Sequence, residues 1–177
     1  ASGLPRSELF ITTKLRNPDQ GFHESLQAVD ASLARLGLDY IDLFLIHWPC
    51  PRHGRFVDSW KALIEARGAG KVRSIGVSNF RAEDIDRIID ATGVLPAVNQ
   101  IELHPLLQQA QLRAYGAAHQ IVTESWSALA HGGELLVDSG LKAIGRRHGK
   151  SVAQVILRWH MQLGLVAFPK SVTPARI

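Results

Sequence analysis

The sequence predicts an α/β fold with parallel strands, and we expect a (β/α)8 barrel rather than an open, doubly wound sheet. Two observations carry this prediction: short apolar runs alternate with amphipathic stretches, and polar residues follow the end of each apolar run. Runs that are apolar on both faces and separated by helices are typical of parallel strands joined by right-handed crossovers. With 177 residues, the chain is long enough for a domain with its own hydrophobic core.

Six apolar runs are expected to form strands. They lie at residues 9–13, 40–46, 72–77, 97–103, 121–126 and 165–168. Apolar residues at helical spacing predict helices between them, at residues 25–36, 57–68, 85–89, 108–118 and 152–163. Gly37, Gly68 and Gly93 are expected to end three of these helices, and Ser151 is expected to cap the start of the last one.

The polar residues at the strand ends favour a barrel over an open sheet. They are Lys14, His47, Ser78, Asn79, Gln100, Glu102, Trp126, Ser127, Lys170 and Ser171. In a barrel the active site is built on the rim formed by the carboxyl ends of the strands, so six contributing strand ends suggest one shared site. No G-x-G-x-x-G follows a predicted strand, so the doubly wound dinucleotide fold lacks its fingerprint.

Composition narrows the functional class. The formal net charge of +4 gives a mild preference for anionic ligands. The densest basic run, residues 146–150, has no interleaved aromatic residues, so we expect a solvated helix end and no nucleic-acid partner.

No apolar run is long enough to span a membrane, and no signal segment opens the sequence. The single cysteine, Cys50, allows no internal disulfide, and we expect a cytoplasmic protein. No metal site is expected, because Cys50 and His53 alone near His47 supply too few ligands.

The segment from Phe168 to Arg176 has the features of a phosphate-binding helix start. Thr173 is a good N-cap and Pro174 a good first helical residue, so free backbone N–H groups at this helix end can hold an anion. Lys170 and Arg176 add positive charge, and a guanidinium can form two parallel hydrogen bonds to a phosphate. A plain helix cap with surface charges is the alternative.

Lys14 and His47 are candidate catalytic residues because each follows an apolar run. A lysine at a barrel rim can also be a solvated strand end, and a lone histidine is often a satisfied core residue. Histidine can present a hydrogen-bond donor or acceptor to a substrate oxygen. The residues alone leave both alternatives open.

Five motifs together resemble the aldo-keto reductase family, and the resemblance covers the whole chain. They are Leu36–Pro49, Ile75–Phe80, Asn99–Pro105, Glu124–Leu129 and Phe168–Ile177. The resemblance implies a (β/α)8 barrel of which this chain supplies strands three to eight, as a single partial domain over residues 1–177. It also implies NADPH-dependent reduction of aldehydes or ketones to alcohols. Trp126 resembles the tryptophan at this position in the bacterial reductases that act on diketo-gluconate.

The family uses a catalytic tetrad of Asp, Tyr, Lys and His. Lys14 matches the family lysine, which lowers the pKa of the tyrosine that acts as general acid, and His47 matches the histidine that orients the carbonyl. Tyr40 and Tyr115 are the only tyrosines of the chain, and neither occupies the family position. We therefore expect the proton donor in a segment before Ala1, and we expect residues 1–177 alone to be inactive.

The resemblance also assigns cofactor and substrate contacts. Three residues match those that bind the nicotinamide carboxamide: Ser78, Asn79 and Gln100. Trp126 matches the ring that stacks on the nicotinamide, and the loop over the pyrophosphate is matched by Ser127 and Leu129. The adenosine 2′-phosphate site is matched by Lys170, Ser171, Val172, Thr173 and Arg176. Trp48 matches a residue beside the substrate pocket, with packing against Pro49 as the alternative. We expect a small carbonyl substrate and a monomer. The rival hypothesis is a catalytically inactive NADPH-binding sensor or regulatory module.

Overall fold

The computed structural model describes residues 3–174, which fold as two compact units divided between Asn99 and Gln100. The strands are β1 Thr12–Leu15, β2 Ile41–Ile46, β3 Val72–Ser78, β4 Val98–Glu102, β5 Val122–Trp126 and β6 Val166–Ala167. The helices are α1 Phe22–Leu36, α2 Phe56–Gly68, α3 Ala82–Thr92, α4 Ala110–Ala118, α5 Glu134–Val137, α6 Ser139–His148 and α7 Val152–Gln162. Strands and helices therefore alternate through most of the chain, as the apolar runs predict.

The sheet of the first unit is centred on β2. This strand pairs in parallel with β1 on one edge and with β3 on the other, and all six of its residues are buried. The backbone N–H of Ala97 donates to the carbonyl of Ile75 at 2.9 Å, which aligns the chain entering β4 with β3. A strand buried on both faces is expected for a parallel sheet covered by helices.

Asp42 is the one charged residue of β2, and it is compensated where it is buried. Its carboxylate accepts hydrogen bonds from the Ile11 N–H at 2.9 Å and from Arg6 at 2.6 Å, and Arg73 lies 3.3 Å away. Burial alone raises the pKa of Asp42, but these hydrogen bonds and charges outweigh burial and hold the pKa below its usual value. A buried carboxylate is tolerated in a core only with such partners.

Helices of the first unit cover this sheet with aromatic side chains. Phe56 and Trp60 of α2 are fully buried, and the ring of Phe56 meets that of Phe80 edge to face at 5.5 Å. The indole N–H of Trp60 donates to the carbonyl of Val94 at 3.3 Å, so its polar atom has a partner. Such edge-to-face pairs are favoured by the quadrupoles of the rings.

Helix boundaries follow the signals in the sequence. Gly37 and Gly93 end α1 and α3 in the left-handed conformation, with φ of 64° and 68°. Ser151 caps α7: its hydroxyl accepts from the N–H of Gln154 at 3.3 Å, and the Gln154 side chain accepts from the N–H of Ser151 at 2.9 Å. The predicted cap is thus confirmed as a reciprocal capping box. The basic run ends the exposed helix α6, as expected.

In the second unit, β5 pairs in parallel with β6, with Glu124 opposite Val166 and Ser125 opposite Ala167. The N–H of Leu103, just after β4, donates to the carbonyl of Trp126 at 3.3 Å. The ends of β4 and β5 are therefore aligned at the edge where the predicted site residues stand.

The first strand differs from its prediction. The apolar run 9–13 predicts a strand that ends before Lys14, but β1 spans Thr12–Leu15 and contains Lys14. Phe10 is 69% exposed and lies outside the strand. The position of β1 is set by its partner: Thr12 to Leu15 pair in register with Leu43 to Ile46 of β2, and the carbonyl of Ile11 just before them accepts from the N–H groups of Asp42 and Leu43, each at 3.1 Å.

Among residues 3–174, no helix is long and apolar enough to cross a membrane.

Gly76 of β3 should not tolerate a side chain. A Cβ there would lie 2.7 Å from Leu45 Cδ2 and 2.8 Å from the carbonyl oxygen of Val98, which is backbone and cannot move aside. We expect Gly76→Ala to lower the free energy of unfolding by about 1–3 kcal/mol, measured by chemical denaturation.

Gly68→Ala is the matched control. Gly68 ends α2, and no heavy atom of the described residues lies within 4 Å of a Cβ built there. Alanine at a helix position should be neutral or stabilising by up to about 1 kcal/mol. Equal stability of the two variants would contradict the tight β2–β3–β4 packing.

Candidate active site

Lys14 and His47 stand on neighbouring strands at the same end of the sheet. Lys14 is opposite Leu45 in the β1–β2 register, and His47 follows directly after β2. The backbone N–H of His47 donates to the carbonyl of Leu15 at 3.2 Å, which continues the pairing past the end of the strand. Two residues that are far apart in sequence are thus held as neighbours.

The electrostatic environment of His47 favours a neutral imidazole. Burial, and then the positive charge of Lys14, lower the pKa of His47 below its ordinary value. A neutral imidazole has one N–H donor and one acceptor nitrogen. His47 can therefore donate a hydrogen bond to a carbonyl oxygen without itself carrying charge.

Asn79 ties the end of β3 to the end of β2. Its backbone is left-handed, with φ of 62°, a conformation that asparagine tolerates better than most residues. In this conformation the side-chain Nδ2 donates to the carbonyl of His47 and to the hydroxyl of Ser78, each at 3.0 Å. The sequence predicts Asn79 as a cofactor ligand but does not reveal that it also supports the backbone of His47.

Trp48 borders an open cleft of about 620 Å³ in the first unit. Trp48 is 42% exposed, and Gln20 Nε2 donates to its carbonyl at 2.6 Å. The other lining residues are Asn17, Pro49, Cys50, Pro51, Asn79, Arg81, Glu83 and Asp84. The indole is thus held by its backbone while much of its surface stays accessible, and its predicted place beside a substrate pocket stays a prediction.

In the second unit, Gln100 contacts the carboxylate of Glu124, for which the sequence predicts no role. Gln100 is 2% exposed and Glu124 is 7% exposed. Gln100 Nε2 donates to Glu124 Oε2 at 2.9 Å. The pair lies on adjacent strands, and no local pattern in the sequence indicates it.

The opposite face of β5 is fixed by a buried histidine. The hydroxyl of Ser125 donates to the carbonyl of Leu103 at 2.6 Å and lies 3.1 Å from His160 Nε2. The other ring nitrogen of His160 lies 2.9 Å from the carbonyl of Ile156. The sequence alone predicts a surface or packing residue with no evident partner, and the structure buries His160 as a packing residue whose contacts with Ser125 and Leu103 span 35 and 57 positions of the chain.

Three other histidines also have partners, and the sequence predicts one of these pairs, His104 with Glu102, as structural support. His119 stacks on Tyr115, with ring centroids 4.3 Å apart. His104 and His131 lie 3.6 Å and 3.7 Å from Glu102 Oε1. Residues 3–174 contain no group of three or more His, Cys, Asp or Glu that could hold a metal ion.

The loop after β5 has a buried polar atom suited to a ligand. Ser127 is left-handed, with φ of 55°, and its hydroxyl oxygen is buried without a hydrogen-bond partner among the described residues. Leu129 follows at the start of a 3-10 turn over Ala130–Gly132. A buried hydroxyl normally finds a partner, so an oxygen-rich group such as a pyrophosphate would satisfy Ser127.

The predicted phosphate segment is exposed where the structure describes it. Lys170, Val172 and Thr173 are exposed, and the Ser171 hydroxyl accepts from the N–H of Thr173 at 3.3 Å. Arg176 lies outside the described residues, as does the helix that Thr173 is predicted to cap. The roles assigned to these residues stay predictions.

Comparison with known proteins identifies the family. The model of the aldo/keto reductase family matches residues 2–177. The chain belongs to this family. It is 54% identical over 176 residues to an aldo-keto reductase of Mycolicibacterium smegmatis, covering 99% of this chain and 64% of that protein. It is 52% identical over 178 residues to the methylglyoxal reductase DkgA of Yersinia pestis, covering 100% of this chain and 64% of that protein.

Solved structures agree with this assignment. A crystallised mutant of Gox0644 in complex with NADPH is 50% identical, with a TM-score of 0.94 over 97% of this chain and 63% of that one. The predicted fold class, the (β/α)8 barrel with six of its strands in this chain, is confirmed. The chain spans just under two thirds of the length of the curated relatives named above.

The pKa of His47 should respond to Lys14. Replacing Lys14 with Met removes the charge that lowers this pKa, so the pKa should rise but stay below about 6.5 because burial remains. NMR titration of the His47 ring protons would measure the change.

Lys71→Met is the control for that titration. Lys71 precedes β3 at the other end of the strands and pairs with Asp30 at 2.5 Å. Its loss should leave the pKa of His47 unchanged. An unaltered His47 pKa in Lys14→Met would contradict the electrostatic coupling of the two residues.

Proposed function

We propose that the protein containing this chain is an NADPH-dependent oxidoreductase that reduces aldehydes or ketones to alcohols. The observation that carries the proposal is the placement of Lys14 and His47 at adjacent strand ends, with the pKa of His47 lowered by burial and by Lys14. Membership of the aldo/keto reductase family and relatives named as methylglyoxal reductases support this reaction class.

In this proposal each residue acts on the carbonyl group. Neutral His47 donates a hydrogen bond to the carbonyl oxygen, which orients the substrate and stabilises negative charge as it develops there. The ammonium of Lys14 stabilises the deprotonated form of a nearby general acid and so lowers its pKa. NADPH, when bound, supplies the hydride.

The general acid is proposed to be a tyrosine outside these 177 residues. Tyr40 precedes β2, whereas His47 follows it, so six strand residues separate them. The Tyr40 ring is held between the guanidinium groups of Arg6 and Arg73, 4.0 Å and 3.9 Å from its centroid. Tyr115 lies on α4 and stacks on His119. We accordingly expect residues 1–177 alone to lack reductase activity.

The proposed cofactor contacts are those that the family resemblance implies. Ser78, Asn79 and Gln100 would bind the carboxamide, and Trp126 would stack on the nicotinamide. Ser127 and Leu129 would contact the pyrophosphate, and Lys170, Ser171, Val172, Thr173 and Arg176 the 2′-phosphate. The unpartnered hydroxyl of Ser127 supports a ligand at this loop. Relatives crystallised with NADPH support the cofactor, and the basic residues Lys170 and Arg176 support its preference over NADH.

The second candidate function is an inactive NADPH-binding sensor. This function requires the cofactor contacts but no proton donor beside His47. The two candidates differ in whether the whole protein turns over a carbonyl substrate, and the sequence that precedes Ala1 bears directly on the choice.

Replacing His47 with Gln in the whole protein should lower kcat by about 10²-fold, because the flexible glutamine amide no longer presents the donor of the rigid imidazole in a fixed position to the developing oxyanion. The dissociation constant of NADPH should change by about two-fold or less, because His47 acts on the substrate. Steady-state assays of NADPH oxidation with methylglyoxal and a panel of other carbonyl compounds would measure the first quantity, and fluorescence titration the second.

His53→Gln is the matched control, since His53 is an exposed histidine of the neighbouring Pro51–His53 turn. It should keep the original kcat. Full turnover by His47→Gln on every accepted carbonyl would rule out the catalytic role, and absence of any turnover by the unsubstituted protein would favour the sensor.

A further inference from the structure

Glu124 is a buried carboxylate to which the proposed carbonyl reduction assigns no role. It is 7% exposed, and Gln100 Nε2 donates to its Oε2 at 2.9 Å. An ionised carboxylate can only accept hydrogen bonds, whereas an amide has one donating and one accepting end. The contact therefore decides which end of the Gln100 amide faces Glu124, and the oxygen end must face away.

The strands that carry this pair are held in fixed register. The N–H of Leu103 donates to the carbonyl of Trp126 at 3.3 Å, and the Ser125 hydroxyl donates to the carbonyl of Leu103 at 2.6 Å. His160 of α7 lies against the same carbonyl at 3.2 Å. Glu124 has little freedom to move away from Gln100 while these contacts hold.

The alternation of side chains along β5 places Glu124 on the side of the predicted cofactor residues. Ser125 faces α7, where it meets His160. Since successive residues of a strand point to opposite faces, Glu124 and Trp126 share the other face. Gln100 contacts Glu124 on that face, so the amide lies beside the strand that carries the predicted nicotinamide-stacking residue.

We propose that Glu124 is a positioning residue: it orients the Gln100 amide so that Oε1 accepts a hydrogen bond from the carboxamide NH₂ of the nicotinamide. This inference rests on the proposed function, since it takes Gln100 as a cofactor ligand. The carboxamide is thereby bound in one orientation. This orientation fixes which face of the nicotinamide ring is turned toward the substrate.

Glu124→Gln is the informative substitution because it keeps the size of the side chain. A glutamine at 124 offers both a donor and an acceptor, so the Gln100 amide can then adopt either orientation. The second orientation presents an NH₂ group to the carboxamide NH₂ and gives no hydrogen bond. The substitution should reduce recognition of the carboxamide NH₂ specifically, and not merely loosen the core.

The test is a double-mutant cycle with a cofactor analogue. The 3-acetylpyridine analogue of NADP⁺ replaces the carboxamide NH₂ with a methyl group and leaves the rest of the dinucleotide unchanged. The unsubstituted whole protein should bind NADP⁺ about five- to ten-fold more tightly than the analogue, the size expected for one neutral hydrogen bond. In Glu124→Gln this ratio should fall to about two-fold or less.

Glu102→Gln is the control for charge. It removes one carboxylate from β4 that contacts His104 and His131 rather than Gln100, so the ratio should be kept. Gln100→Met removes the proposed acceptor itself and must also reduce the ratio, which tests the inference even if Glu124→Gln folds poorly.

Three outcomes separate the inference from the proposed function. A reduced ratio in Glu124→Gln and Gln100→Met, with Glu102→Gln unaffected, supports the positioning role. An unchanged ratio in either of the first two variants, even with weaker binding of both dinucleotides, overturns it and leaves the proposed function standing. Failure of the unsubstituted protein to bind either dinucleotide contradicts both.

Discussion

Burial of strand β2 along its whole length is the constraint on which the first unit depends. All six residues Ile41–Ile46 are buried, so both faces must be covered and both edges paired. Parallel neighbours satisfy this requirement and turn the carboxyl ends of β1, β2 and β3 toward the same edge. Lys14 and His47 are adjacent because of that pairing.

Side chains then fix the backbone at the strand ends. In the first unit, Asn79 donates to the carbonyl of His47. In the second unit, Ser125 and His160 hold the carbonyl of Leu103 from the helix side. These hydrogen bonds fix the backbone positions of residues that lie just beyond the regular sheet.

Local patterns in the sequence were sufficient for most of the fold. The apolar run at 40–46 predicts β2, and Gly37, Gly93 and Ser151 mark helix ends that the structure confirms. These signals succeed because caps and apolar faces are decided by residues within a few positions of each other. The start of β1 could not be predicted in this way, because it is decided by the partner strand.

The candidate site was predictable only as a set of strand-end residues. Lys14, His47 and Asn79 were recognised by their positions after apolar runs and by the family resemblance. The contact of Gln100 with Glu124, the contact of His160 with the carbonyl of Leu103 and the support of His47 by Asn79 join residues far apart in the chain. Burial and register create such contacts, and a single sequence contains no local signal for them.

The proposed function is hydride transfer to a carbonyl carbon at the strand ends that carry Lys14 and His47. Its most direct test uses the whole protein, each C4-deuterated diastereomer of NADPH and methylglyoxal or another accepted carbonyl compound, with mass spectrometry of the alcohol product. We predict deuterium on the carbinol carbon with one diastereomer and none with the other. NADPH binding without transfer of deuterium from either diastereomer, across a broad panel of carbonyl compounds, would contradict the claim.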